Sequence, residues 1–144
     1  MNGWAIVVPV KQWSTAKSRV TGLTEQERYE LAIGLATDTV GAICSTPEVA
    51  ACLVVGPPDN LRDLSPCVDS PLVHEVEEQP DARHDPLNTA LGQGRDAALS
   101  EGFRQVAMIV ADLPGLTSPG LSAFLRLVPP TRPALVCDQA GTGT

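Results

Sequence analysis

The sequence predicts an α/β fold with a doubly wound, mainly parallel sheet. Short apolar runs rich in valine alternate along the chain with longer segments of helical periodicity. This alternation is typical of buried parallel strands that are connected by helices on both faces of the sheet. The chain has 144 residues, of which 43% are hydrophobic and 19% are charged, a composition and length that suit one domain with one core.

The first half of the chain contains a strand, a long helix and two further strands. Thr24 and Glu27 have the spacing of a capping box, with Thr at the cap and Glu three residues later. Apolar residues then recur at about four-residue spacing, so the helix is expected to run to about Ile43. A Gly-Pro-Pro sequence closes the second apolar run. The three strands are expected at residues 4–10, 50–55 and 72–76.

The second half alternates helices and strands after a polar, acidic loop at residues 75–85. Gly102 ends the first of these helices, and Ser118 and Pro119 have the residue types of a cap and a first helical position. The order β-α-β-β-α-β-α-β then calls for a mainly parallel sheet with helices on both faces. The helices are expected at residues 87–100 and 119–127, with a cleanly buried strand at 106–111 and a last strand at 134–137.

Composition excludes several classes of protein. The net charge of −7 argues against nucleic acid as a partner, because such a partner requires a basic face. The sequence has no GxGxxG or Walker A loop, which disfavours a dinucleotide enzyme or a P-loop NTPase. No apolar run approaches the roughly 20 residues of a membrane span, and the amino terminus enters a strand without a signal sequence. We therefore expect no membrane partner and a cytoplasmic location.

The cysteines are expected to be reduced and mostly packed as small hydrophobic residues. They form no CxxC pair and have no histidines at metal-binding spacing, so a zinc site is not expected. No cysteine has a marked activating partner in the sequence. The four positions are Cys44, Cys52, Cys67 and Cys137.

Three cations follow the first apolar run. Lys11, Lys17 and Arg19 lie in the loop after Pro9, and ligands of open α/β sheets bind outside the carboxyl ends of the strands. Lysine offers a point charge and arginine a bidentate fork to phosphate. The loop is therefore a candidate phosphate site. The alternative is three solvated surface cations.

Asp112 ends the buried strand at residues 106–111, where a carboxylate is costly to bury unless a partner pairs with it. Mg²⁺ prefers carboxylate oxygens together with phosphate oxygens and water. A single Asp beside a phosphate-binding loop fits that coordination, so Asp112 is a candidate magnesium ligand. The alternative is an Asp that forms a turn or a cap before Leu113-Pro114.

A second polar group is expected at the start of the helix at residues 87–100. Asn88 and Thr89 lie in its first turn, where unpaired N–H groups and the positive dipole end favour anions. The Asn88 amide can read a nucleobase edge or a ribose. Asp85 has the position of an N-cap. His74 and His84 have no recognisable partner in the sequence and are expected on the surface.

Five short motifs, in this order, resemble one known family. They closely resemble the guanylyltransferases of coenzyme F-420 biosynthesis, which join GTP to 2-phospho-L-lactate or, in the actinobacterial branch, to phosphoenolpyruvate, and release pyrophosphate. The resemblance spans nearly the whole chain. The motifs are Pro9-Val10-Lys11, Ala16-Lys17-Ser18-Arg19, Asp85-Pro86-Leu87-Asn88-Thr89-Ala90, Ala111-Asp112-Leu113-Pro114, and Asp138 through Gly141-Thr142-Gly143-Thr144.

The resemblance implies a fold, substrates and roles for individual residues. It implies the nucleotidyltransferase (Rossmann-like) variant of the doubly wound sheet, Mg²⁺ held by Asp112, and GTP and a small phosphorylated carboxylic acid as partners. Lys17, Arg19 and Asp112 would be catalytic, and Gly143 and Thr144 would contact the phospho-acid. The nucleotide would be bound by Pro9, Lys11, Lys17, Arg19 and Asn88.

Members of this family continue past the Gly/Thr loop, so the domain is expected to be incomplete at its carboxyl end. The sequences of residues 85–90 and of the Gly/Thr loop resemble the actinobacterial branch more closely. This resemblance favours phosphoenolpyruvate over 2-phospho-L-lactate as the acceptor. Two alternative functions stay open: a nucleotidyltransferase for another phosphorylated acceptor, and a non-catalytic nucleotide-binding domain. The oligomeric state, including a homodimer, is a separate question that the sequence leaves open.

Overall fold

Within residues 2–10, 20–83, 85–137 and 139–141, which the computed structural model describes, four parallel strands form one sheet. The strand order is β3-β2-β1-β4. The strands are β1 (Trp4–Pro9), β2 (Val49–Gly56), β3 (Val73–Glu77) and β4 (Gln105–Met108). The helices are α1 (Glu25–Cys44), α2 (Pro58–Leu64), α3 (Pro86–Ser100) and α4 (Ser118–Leu127), and a short 3₁₀ turn covers Ser65–Cys67.

The sheet is doubly wound, as the sequence predicts. The chain steps from β1 through β2 to β3 in one direction, and then returns so that β4 pairs with the other side of β1. Helix α3 packs against one face of the sheet, and α1, α2 and α4 contribute to the core on the other face. The direction of strand addition therefore reverses between β1 and β4.

The two faces of β1 follow the alternation of its side chains. Ile6, Val8 and Val10 belong to the apolar cluster formed with α1, α2 and α4, whereas Ala5 and Val7 belong to the clusters on the α3 face. All five side chains are buried. A continuous apolar run, rather than an alternating one, is what a strand covered on both faces requires.

The helix ends are fixed by local hydrogen bonds. The Thr24 hydroxyl accepts from the Glu27 N–H at 3.1 Å, and the Glu27 carboxylate accepts from the Thr24 N–H at 2.6 Å, which confirms the predicted capping box. At the end of α3, Phe103 N–H donates to Ala98 C=O and Gly102 N–H to Leu99 C=O. This Schellman pattern places Gly102 at φ 92°, a conformation that favours glycine.

Several details differ from the sequence prediction. Thr117, not Ser118, caps α4, because its hydroxyl accepts from the Gly120 N–H at 3.2 Å. Pro119 therefore takes the second helical position, which is also free of an intrahelical N–H requirement. Helix α2 was not expected, because Pro57 and Pro58 indicate a turn, yet Pro58 occupies the first helical position, which tolerates proline.

The predicted strand at residues 134–137 is wrong. In the described part of the chain this segment pairs with no strand, and Leu135 and Val136 are 82% and 60% exposed. An apolar run becomes a strand only where a neighbouring edge accepts its hydrogen bonds, and sequence pattern does not reveal that edge. Strand β4 is also shorter and less buried than expected, since it ends at Met108, which is 46% exposed.

The cysteines divide into two pairs. Cys52 is buried in β2 and Cys44 is half-buried at the end of α1, whereas Cys67 and Cys137 are exposed, contrary to the expectation that most pack in the core. Hydrogen bonds from Cys52 and Ser70 lower the pKa of Cys44 to about 6. The hydrogen bond with Cys44, together with burial, raises the pKa of Cys52. The sequence expectation of no activating partner is thus wrong for Cys44.

Helix α3 approaches the sheet closely at Gly94. A Cβ at this position would lie 2.3 Å from Val7 Cγ1 and 2.8 Å from Val55 Cγ2. We expect Gly94→Ala to lower the free energy of unfolding by about 1 to 2 kcal/mol, because overpacking outweighs the gain in helix propensity. Gly92→Ala is the matched control. Its Cβ meets no described atom within 4 Å, so it should stabilise by about 0.5 to 1 kcal/mol in the same urea titration. Equal effects of the two variants would contradict the close approach.

The Cys44 thiol should be reactive at neutral pH. Cys44 lines a groove of about 310 Å³ together with Cys67 and Ser70, and its pKa is lowered to about 6. Because the thiolate is the nucleophile, alkylation of Cys44 by iodoacetamide should accelerate through this pKa and level off above about pH 7. Peptide mass spectrometry at several pH values measures the rate at each cysteine. A rate at Cys44 that still rises tenfold between pH 7 and pH 8 would show an ordinary thiol.

Candidate functional site

The carboxyl ends of β1 and β4 lie side by side at the point where the winding direction reverses. Val10 N–H donates to Val55 C=O at 2.8 Å, and Ile109 N–H donates to Val7 C=O at 2.9 Å, so the sheet stays paired up to this edge. Ligands of open α/β sheets bind in the crevice outside such a reversal. The loops that leave β1 and β4 are therefore the candidate site.

Pro9 ends the pairing between β1 and β4. The carbonyl of Val7 accepts from β4, and the N–H of Val10 donates to β2, so the missing N–H of Pro9 faces the β4 side. Proline cannot donate to the ladder, and β4 indeed stops at Met108. The hydrogen bond from the Ile109 N–H to the Val7 C=O is thus the last one between the two chain segments in the described pairing. Pro9 is buried at the end of β1, so it supports the loop that follows and is not itself part of the exposed surface.

Asp112 lies in the loop between β4 and α4, four residues past Met108, so it does not end a strand as the sequence predicts. Its side chain is exposed, so the expected cost of burying this carboxylate does not arise. The loop is anchored next to it by the Leu113 N–H, which donates to the Thr39 hydroxyl at 3.4 Å. Thr39 is buried in α1 and donates in turn to Leu35 C=O.

Asn88 is exposed in the first turn of α3 and is held by the N-cap residue Asp85. The Asn88 N–H donates to one Asp85 carboxylate oxygen at 3.0 Å, and the Asn88 side-chain amide donates to the other oxygen. These hydrogen bonds hold the pKa of Asp85 below its usual value, with the Asn88 N–H as the largest cause. The amide oxygen of Asn88 makes no hydrogen bond within the described residues.

Other predicted residues fall outside this site. His74 is half-exposed on β3, and its Nδ1 lies 2.9 Å from a Glu101 carboxylate oxygen, so it does have a partner, contrary to expectation. Lys11, Lys17, Arg19, Gly143 and Thr144 lie outside the described residues, as does His84. The phosphate and phospho-acid contacts assigned to these positions remain predictions.

The described residues contain no cluster of three or more His, Cys, Asp or Glu side chains that could hold a metal ion by themselves. A magnesium ion that binds nucleotide needs fewer protein ligands, since one or two carboxylates and the substrate phosphates suffice. The exposed Asp112 carboxylate is a ligand of the type in that donor set. No helix in the described part of the chain is long and apolar enough to cross a membrane.

A doubly wound parallel sheet is an architecture that many nucleotide-binding α/β proteins share. The sequence model of the family described as "Guanylyl transferase CofC like" matches residues 4–143, and the chain belongs to this family.

Three curated relatives carry the name phosphoenolpyruvate guanylyltransferase. The protein of Salinispora arenicola is 37% identical over 98% of this chain and 63% of its own length. That of Sanguibacter keddieii is 33% identical over 98% and 60%, and that of Mycolicibacterium gilvum is 29% identical over 96% and 64%. The chain thus spans less than two thirds of the length of these relatives.

Asp85 should contribute to stability through the cap of α3. We expect Asp85→Ala to lower the free energy of unfolding by about 0.5 to 2 kcal/mol, because the Asn88 N–H loses its acceptor. Asn88→Ala keeps the cap and should stay within about 0.5 kcal/mol of the unchanged chain. Urea unfolding of the two variants compares the contribution of the Asp85 cap to the free energy of unfolding with that of the Asn88 side chain. A larger loss for Asn88→Ala than for Asp85→Ala would contradict this assignment.

Proposed function

We propose that the chain acts as a guanylyltransferase that joins GTP to phosphoenolpyruvate and releases pyrophosphate, in coenzyme F-420 biosynthesis. The observation that carries the proposal is the match of the guanylyltransferase family to residues 4–143, a range that spans the whole doubly wound sheet. The names of the relatives support phosphoenolpyruvate as the acceptor. The alternative acceptor is 2-phospho-L-lactate.

The proposed reaction is an in-line displacement at the α-phosphorus of GTP. A phosphate oxygen of the acid forms the new P–O bond, the bond between the α- and β-phosphates breaks, and pyrophosphate leaves with the electron pair. The attacking oxygen is already anionic, so no protein nucleophile or base is required. The protein contributes positioning and charge neutralisation.

Asp112 would hold Mg²⁺, which neutralises the charge of the reacting phosphates when bound. Its loop is tied to α1 through Leu113 and Thr39, which limits the positions that the carboxylate can take. By resemblance, Lys11, Lys17 and Arg19 would hold the nucleotide phosphates, and Lys17 and Arg19 would steady the leaving group. Asn88 would contact the nucleotide, and Gly143 and Thr144 the phospho-acid.

Asp112→Asn tests the metal role. We expect pyrophosphate release to fall at least about 100-fold, because the neutral amide no longer offsets the charge of the ion. Asp96→Asn is the control, since Asp96 is exposed on α3 and pairs with Arg95 at 2.8 Å. Release is measured for GTP with phosphoenolpyruvate, 2-phospho-L-lactate and 3-phosphoglycerate, with far-UV circular dichroism as the check of folding. Near-normal release by folded Asp112→Asn would remove Asp112 from the mechanism.

The same measurement separates the rival functions. Release with another acid alone would indicate a nucleotidyltransferase for a different acceptor. Nucleotide binding without release from any pair would indicate a binding domain. The cytoplasmic location and the homodimer stay predictions.

A further inference from the structure

Glu78 lies at the same edge of the sheet as the candidate site, two strands away from β1. Its N–H donates to Gly56 C=O at 2.9 Å, immediately after the last paired residue of β3. Side chains alternate along a strand, so Glu78 shares the face of His74 and Val76. That face is the α3 side, because Val76 packs in the clusters under α3 and His74 contacts Glu101 just past the end of α3.

The backbone beside Glu78 is braced against α3. The Gln79 N–H donates to the Gln93 side-chain oxygen at 2.9 Å, and the Gln93 side-chain amide donates to Gln79 C=O at 2.6 Å. Thr89 lies one turn closer to the start of the same helix and therefore on the same side. Its hydroxyl is buried and has no hydrogen-bond partner among the described residues, and Thr89 itself is 8% exposed. Thr89 therefore leaves one unsatisfied hydroxyl on this side of α3.

The Glu78 carboxylate is itself unpaired. In the described part of the chain it has neither a hydrogen bond nor an ion pair, although the residue is half-buried. Burial raises the pKa of Glu78. A partly desolvated carboxylate gains most from donors that a ligand supplies, because its own surroundings supply none. Glu77, next to it, is exposed and belongs to the opposite face.

The position of Glu78 matches the nucleoside end of a bound nucleotide. The phosphates are expected between β1 and β4, and β3 lies two strand spacings from β1 on the other side, roughly 10 Å away. A nucleotide that lies across the carboxyl ends of the strands therefore brings its base toward β2 and β3. Asn88, in the first turn of α3, is the further nucleotide contact that the family resemblance implies.

Guanine offers the donors that this carboxylate lacks. Its N1–H and 2-amino groups are adjacent donors on one edge, and a carboxylate accepts two such hydrogen bonds at once. Adenine presents the N1 acceptor at the equivalent place, which a carboxylate repels. We propose that Glu78 selects guanine by accepting hydrogen bonds from N1–H and the 2-amino group of GTP. This assignment rests on the proposed function, which supplies the nucleotide.

Glu78→Gln tests the assignment by binding rather than by turnover. Isothermal titration of the chain with GTP, ITP and ATP in Mg²⁺ gives three affinities for each variant. We expect Glu78→Gln to weaken GTP binding about 10- to 100-fold, since charge-assisted hydrogen bonds are lost. ITP, which lacks the 2-amino group, should lose less. ATP should bind as before or more tightly, because a glutamine amide can donate to N1 and accept from the 6-amino group of adenine.

Glu77→Gln is the matched control and should leave all three affinities within about twofold, because Glu77 is exposed on the other face. Equal losses for GTP, ITP and ATP in Glu78→Gln, or an unchanged preference for GTP, would overturn the assignment while the proposed function stands. Failure of the unchanged chain to bind any triphosphate would overturn both. Circular dichroism of each variant confirms that the sheet is intact.

Discussion

The burial of β1 between β2 and β4 is the constraint on which the rest of the structure depends. The strand is hydrogen-bonded along both edges and covered on both faces, so its side chains from Ala5 to Val10 are buried. A strand in that position must be apolar throughout, which is why this segment is the most hydrophobic part of the amino-terminal region. A fully covered apolar strand has no side chain available for binding or catalysis. Residues with these roles must therefore lie in the loops at its carboxyl end.

The site is therefore built from short-range hydrogen bonds on a rigid frame. Pro9 terminates one ladder, Thr39 receives the loop of Asp112, and Asp85 holds Asn88 while it caps α3. At Gly56 the frame is so tight that a Cβ would lie 2.3 Å from Val10 Cγ2. Each polar residue at the edge is thus positioned by a neighbour that has a structural task of its own. Pre-organisation of this kind lets a protein stabilise developing charge without rearranging.

Features that depend on nearby residues could be predicted from the sequence. The capping box at Thr24 and the cap at Asp85 follow from patterns within a few positions. Asp112 does not end a strand as predicted, since β4 ends four residues earlier. Features that depend on distant partners could not. The apolar segment around Leu135 has a strand-like composition but pairs with no strand in the described structure, and the environment of Glu78 arises from α3, which the sequence places eight or more residues away. The sequence accordingly predicts only a polar loop around Glu78.

The small residues on the inner face of α3 link the core to the site mechanically. Ala90, Gly94 and Ala98 let the helix rest directly on the sheet. A helix of this length moves as a rigid rod, and Ala98 is about 15 Å along its axis from Asn88 at 1.5 Å per residue. A bulkier side chain near the far end would tilt the helix and shift its first turn, which carries Asn88. The position of that turn is thus sensitive to side-chain volume deep in the core, about 15 Å away.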